Sequence, residues 1–126
     1  MAVAAVVFDE QGRILLFKHT YRKLEWGIPA GGLEYGEQPK DAIVREFFEE
    51  TGMTIEVQRL LLAESSRYDR HIGLVYLCKI TGGEFHESHE VVAIEYFDVE
   101  NLPPMLFDEQ DLIKDIHSNL NVQTDP

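Results

Sequence analysis

Residues 31–53 read GGLEYGEQPKDAIVREFFEETGM, from Gly31 to Met53. The stretch opens on glycines and runs into a helical pattern. Pro39 falls early in the expected helix, where its missing N–H costs little. Gly52 falls just past the end, where a left-handed cap belongs. A helix would bring Glu46, Glu49 and Glu50 together, since they are spaced i, i+3 and i+4. Like charges this close destabilise an isolated helix. A divalent cation compensates for them, and hard carboxylate oxygens suit magnesium or manganese. A solvated acidic helix face is the plain alternative, and these three residues alone do not separate the two.

The wider pattern does. A glycine, five residues, Glu, seven residues, Arg-Glu, an apolar residue, any residue, Glu-Glu, any residue, Gly and an apolar residue is the Nudix box. Here it is carried by Gly31, Glu37, Arg45, Glu46, Phe47, Glu49, Glu50, Gly52 and Met53. Phe47 departs from the smaller aliphatic residue usual there, but it keeps the apolar character. The chain resembles a Nudix hydrolase over most of its length, and so long a pattern is far more specific than a short glycine motif.

At 126 residues the chain is expected to be one domain, residues 1–126, with a single core. Apolar residues make up 44% and charged residues 27%, both ordinary for a globular chain. No apolar run is long enough to span a bilayer, and MAVAAVVFDEQG lacks the basic start of a signal peptide. Cys78 is the only cysteine, which excludes an intrachain disulfide and a multi-cysteine zinc ribbon. These points fit a cytoplasmic setting away from membranes. The net charge of −12 opposes binding to a nucleic-acid polymer. It also opposes a small polyphosphate unless cations bridge the two, so the charge agrees with metal dependence.

In chain order, residues 2–8 read as a strand, Asp9 to Gly12 as a turn and residues 13–19 as a second strand, the two forming a hairpin. Residues 26–29 are a short extended piece, and 30–36 a glycine-rich loop. The helix covers about 38–51, with Ala42, Ile43 and Phe47 on one side and Val44 and Phe48 on another, so that much of its circumference is covered. Strands follow over 54–64 and 72–81, joined by a polar loop at 65–70. Ile72, Leu74, Tyr76, Cys78 and Ile80 share a face, and Cys78 reads as a core residue. A polar connection leads to a strand over 91–99 with an irregular start. A last helix runs from about Asp108 to Leu120 on a stripe of Leu112, Ile113, Ile116 and Leu120, and residues 121–126 fray. Strands in hairpins with few helices make an α+β domain. The resemblance sharpens this to the Nudix fold, an α/β/α sandwich with a mixed β-sheet between helices.

The resemblance also implies roles. The reaction expected is water attack on a diphosphate bond in a small nucleoside di- or triphosphate or a related nucleotide derivative, with Mg²⁺ or Mn²⁺ as cofactor. Glu46, Glu49 and Glu50 are the expected metal ligands, with the Ala30 carbonyl beside them. In relatives the equivalents of these three glutamates share metal binding and water activation in varying division. The base within the helix therefore stays open, with Glu46 the leading candidate and Glu49 beside it as catalytic. Arg45 orients the adjacent glutamates, a task its forked guanidinium suits. Glu37 either ties the helix start or contacts metal. Glu90 lies where relatives carry a further acidic base or ligand, with Glu87 competing. His86 and His89, with no cysteine partner, are a weak zinc signal. Arg22, Lys23, Arg67 and Arg70 are loop cations suited to phosphate, and Tyr21, Tyr68 and Trp26 could stack on a base. Trp26 fits better as packing beneath the loop. The proline expected of ADP-ribose hydrolases is missing, since none occurs between Pro39 and Pro103. Elimination leaves nucleoside di- and triphosphates. Many relatives are dimers, and a homodimer is compatible with the chain. A non-catalytic nucleotide sensor on the same fold is the competing function, but such proteins usually carry degenerate boxes and this box is intact.

Overall fold

The computed structural model describes residues 1–21, 23–65 and 72–124. Seven strands and two helices follow in the order β1 (Ala2–Val6), β2 (Ile14–His19), β3 (Trp26–Gly27), β4 (Ala30–Gly32), α1 (Pro39–Thr51), β5 (Thr54–Ser65), β6 (Ile72–Gly82), β7 (Val91–Phe97) and α2 (Phe107–Thr124). The β layer is two sheets, one ordered β4-β1-β6-β5 and one ordered β3-β2-β7. The first is mixed, because β1 runs parallel to β6 and antiparallel to β4.

Two apolar cores flank the sheets. One gathers Val3, Ala5, Leu15, Phe17, Tyr76 and Cys78 under Ala42, Ile43 and Phe47 of α1. The other gathers Val6, Ile14, Leu16 and Val75 under Ile113 and Ile116 of α2. Successive residues of a strand point to opposite faces. That is why β1, and β2 from Ile14 to Phe17, are apolar throughout rather than alternating. Helix, sheets and helix therefore stack in the layers expected of this α+β chain. No helix among the described residues is long and apolar enough to cross a membrane.

Several local expectations need correction. The turn after β1 forms as read: Asp9 Oδ1 accepts from the N–H groups of Gln11 and Arg13 at 3.0 and 2.8 Å, and Gly12 takes φ +77°. The hairpin survives only at its tip, through a Phe8–Ile14 bridge and the Leu15 N–H to Val7 carbonyl bond of 2.9 Å. Beyond it β1 pairs with β4 and β6 while β2 pairs with β3 and β7, so the two strands splay into separate sheets. The glycine-rich loop begins as strand β4, since Val3 pairs with Gly31 and backbone pairing needs no side chain. Phe48 is half-exposed, so α1 is buried on one side only.

The ends of α1 are held as the sequence suggests. Pro39 sits in its first turn, and Gly52 caps it at φ +77° with its N–H on the Phe48 carbonyl at 2.7 Å. Thr51 is buried; its hydroxyl donates to the Phe47 carbonyl at 2.7 Å and accepts from the Met53 N–H at 3.1 Å. Phe47 meets Phe17 with ring centroids 5.1 Å apart, which accounts for a ring where an aliphatic residue is usual. Irregular pairing between β5 and β6 breaks the alternation of β5 after Val57. The apolar stripe of α2 faces its core as expected, but the helix continues to Thr124 instead of fraying after Leu120.

Candidate active site

One edge of α1 carries Glu46, Glu49 and Glu50, and β4 packs against the helix. Gly31 is the point of closest approach. A Cβ built there would stand 2.7 Å from Glu46 Oε2 and would collide with Glu46 Cγ and Cδ. The glycine thus makes room for a protein carboxylate, beyond the ligand access expected of this loop. Ala30, whose carbonyl is a candidate ligand, opens the same edge strand.

Arg45 is the hub of the site. Its Nε and Nη2 donate to the two oxygens of Glu37 at 2.8 and 2.9 Å, a paired fork that a lysine cannot make. Nη1 donates to Glu46 Oε1 and Glu49 Oε2, each at 3.1 Å, and Nη2 also reaches the Gly32 carbonyl at 3.0 Å. Glu34 stands 3.6 Å from Nη1. Glu37 Oε1 further accepts from the Glu34 N–H at 3.0 Å. These bonds, those from Arg45 first, hold the Glu37 carboxyl down at about 2. Both its oxygens are engaged, so Glu37 ties loop to helix and is not an open ligand. Replacing Arg45 with lysine keeps the charge but loses the fork. Arg45→Lys should lower kcat/KM by about 10- to 100-fold, as removal of outer partners of metal ligands does. Steady-state kinetics at saturating Mg²⁺ check this, and unchanged kcat/KM would reduce Arg45 to a surface charge.

Glu50 is different. It is 6% exposed, and its Oε2 meets no donor among the described residues. The carboxyl of Glu90 acts on it at close range. Two carboxyls brought together need a shared proton, a cation or a bridging water. Burial, and then the charges of Glu46, Glu90 and Glu49, push the Glu50 carboxyl up to about 8. Among the described residues no three acidic or imidazole groups already converge on one point. Arg45 Nη1 bridges Glu46 and Glu49, which accounts for their present aim. The donor set fits a hard divalent cation: carboxyl oxygens on one surface, one of them buried with no counter-charge among the described residues.

The Glu50 shift has a consequence for stability. The folded chain keeps a proton on Glu50 that the unfolded chain releases near its ordinary value of 4.5. Without cation, the associated stability is full below about pH 4.5 and is lost as pH rises to about 8, at up to about 1.4 kcal/mol per unit. Relative to Glu50→Gln, the wild type should therefore lose thermal stability from about pH 5 to about pH 8 in EDTA, and Mg²⁺ should restore it. Thermal unfolding of both proteins across that range is the measurement. Parallel pH profiles in EDTA would contradict the burial of an ionising carboxyl.

Glu90 is among the groups acting on Glu50, and Glu87, its competitor, is not; both are exposed. Cys78 is a buried core residue, its thiol pushed up to about 12 by burial. Trp26 stacks edge-on against Phe97 with centroids 4.9 Å apart, so it packs rather than offering a base platform. Tyr21 is 61% exposed, its ring 5.2 Å from that of His19. Arg22, Arg67, Tyr68 and Arg70, proposed substrate contacts, lie outside the described residues. A groove of about 510 Å³ between β5 and α2, lined by Leu61, Leu62, Asp111 and Ile116 among others, contains none of the site residues. Sequence reasoning missed Glu34 and the Gly32 carbonyl as partners of Arg45. Loop residues meeting a helix side chain leave no periodic trace.

Comparison with known proteins bears on the family and the fold. The family model for the NUDIX domain matches residues 1–116. An ADP-ribose pyrophosphatase of Methanocaldococcus jannaschii is 34% identical over 116 residues, covering 86% of this chain and 68% of that protein. A MutT-like protein of Streptomyces ambofaciens is 34% identical over 96 residues, covering 76% of this chain and 62% of that one. The crystal structure of an ADP-ribose pyrophosphatase from Streptococcus suis superposes with a TM-score of 0.80 at 28% identity, covering 98% of this chain and 91% of that chain.

Proposed function

The chain belongs to the Nudix family of hydrolases, which act on phosphoanhydride bonds, and from that premise we propose that it is a divalent-cation-dependent pyrophosphohydrolase of a small nucleotide or nucleoside-diphosphate derivative. Residues 1–126 act as one domain in this reading. The observation that carries it is the set of Glu46, Glu49 and Glu50 on α1 with Glu90 acting on Glu50, which is buried and, among the described residues, has other carboxyls as its ionic neighbours. A merely solvated acidic face would leave its carboxyls in water and would not bury one of them.

Glu46, Glu49 and Glu50 would hold Mg²⁺ or Mn²⁺, with the Ala30 carbonyl as a further oxygen. Bound there, the ion would screen phosphate charge and raise the acidity of water. The chain's own residues do the rest. Arg45 holds Glu46 and Glu49 in one orientation, so little reorganisation remains at the moment of reaction. Glu46 is engaged by that guanidinium, whereas Glu90 reaches in from an exposed turn. Glu90 is accordingly the residue we assign as the general base that takes the proton of the attacking water. The net charge of −12 favours a small substrate over a long polyanion. Tyr21, exposed next to the segment that touches Glu90, is placed to stack on a base.

The test is hydrolysis of ADP-ribose, other nucleoside diphosphate derivatives and nucleoside triphosphates with Mg²⁺ or Mn²⁺, reading phosphate and pyrophosphate release. Cation-dependent cleavage of at least one class is expected. The names of the relatives point to ADP-ribose, and the missing proline points to di- and triphosphates, so the screen separates the two. No cleavage of any class, with nucleotide binding intact, would favour a sensor.

A further inference from the structure

Glu90 sits on a turn, and turns do not hold a side chain in place unaided. The end of β2 supplies the support. Thr20 donates its backbone N–H to the Glu90 carbonyl at 3.0 Å and its hydroxyl to the His89 carbonyl at 2.7 Å. These two bonds grip consecutive peptide units from a residue 69 positions away in the chain. On the other side Ser88 closes the turn: its N–H donates to the Val91 carbonyl at 2.9 Å and its hydroxyl accepts from the Val91 N–H at 3.1 Å. Pairing between β2 and β7 is also irregular here. Lys18 faces Ala93 but His19 faces Val91, so Val92 is an extra residue. Such a bulge bends its strand and re-aims the side chains beside it.

We propose that Thr20 is a positioning residue that holds the 89–90 turn so that the Glu90 carboxyl is presented to Glu50. The proposal rests on the catalytic reading of Glu90 given above. Thr20 acts through the backbone of its neighbours and has no part in the chemistry itself.

The test uses the full chain and the compound cleaved fastest in the nucleotide screen. Thr20→Val keeps the shape and removes the hydroxyl donor. It should lower kcat about fivefold, the effect of one lost hydrogen bond, with KM within about twofold. Thr20→Ser should restore kcat. Combined with Glu90→Gln, Thr20→Val should add nothing, because the group it positions is gone. Losses that multiply in the double variant would show that Thr20 acts elsewhere and would overturn the proposal. So would a slow Glu90→Gln beside a fully active Thr20→Val. A Glu90→Gln as fast as wild type would instead remove Glu90 from the chemistry, and Thr20 with it. A crystal structure of Thr20→Val gives a readout independent of turnover: Glu90 drawn away from Glu50 supports the proposal, and Glu90 unmoved refutes it.

Discussion

Glu50→Gln should lower cation-dependent turnover by about 10³-fold or more while the protein keeps its fold, an effect on the scale of several kcal/mol of transition-state stabilisation. The substitution changes one oxygen to an amide and leaves the volume intact. What it removes is the charge that a cation needs and that burial otherwise opposes. Glu50 is 6% exposed among Glu46, Glu49 and Glu90, with no cationic partner of its own among the described residues, so the amide is better tolerated than the carboxylate when metal is absent. Catalysis and stability should therefore move in opposite directions. Turnover with Mg²⁺ and thermal midpoints in EDTA decide the matter together. Wild-type turnover in the variant would take Glu50 out of the site, and an unfolded variant would show the carboxyl to be structural.

Gly31→Ala should cost about 10²-fold in turnover, the scale expected when a reacting group is displaced by about an ångström. A Cβ there collides with Glu46 Cγ and Cδ, and Glu46 cannot remain both beside β4 and under Arg45 Nη1. Backbone strain is not the cause, since the positive-φ glycines are Gly12, Gly36, Gly52 and Gly83. The loss should thus appear in kcat with the fold retained. Gly32→Ala is the control: its Cβ would meet nothing within 4 Å, and it should disturb turnover far less. Equal losses at the two glycines would mean that the strand itself, and not the room it leaves for Glu46, is being damaged.

Much of this was legible in the chain because it is local. Pro39, Gly52 and the Glu46, Glu49 and Glu50 spacing lie within one helix, where sequence distance fixes geometry. The α2 stripe was readable for the same reason. The splaying of β1 from β2 was not, because hairpin signals describe the turn and say nothing of the partners each strand finds later. β4 was hidden as well, since Ala30, Gly31 and Gly32 carry no strand-forming side chains and pair through backbone alone. Around the site, the family pattern marked Arg45, but it could not show that Glu34 and the Gly32 carbonyl share its guanidinium. The choice between Glu87 and Glu90 needed the bulge opposite His19, which no periodicity reports.

The alternation of β1 and β2 between two cores carries a final implication. Ala5 and Phe17 lean on α1, whereas their sequence neighbours Val6 and Leu16 lean on α2. Neighbouring codons therefore write to separate compartments. Repacking around Ile113 and Ile116 can be explored in the laboratory with the carboxylate-bearing helix left as a constant, whereas the same freedom on the opposite side would be felt at once in the chemistry.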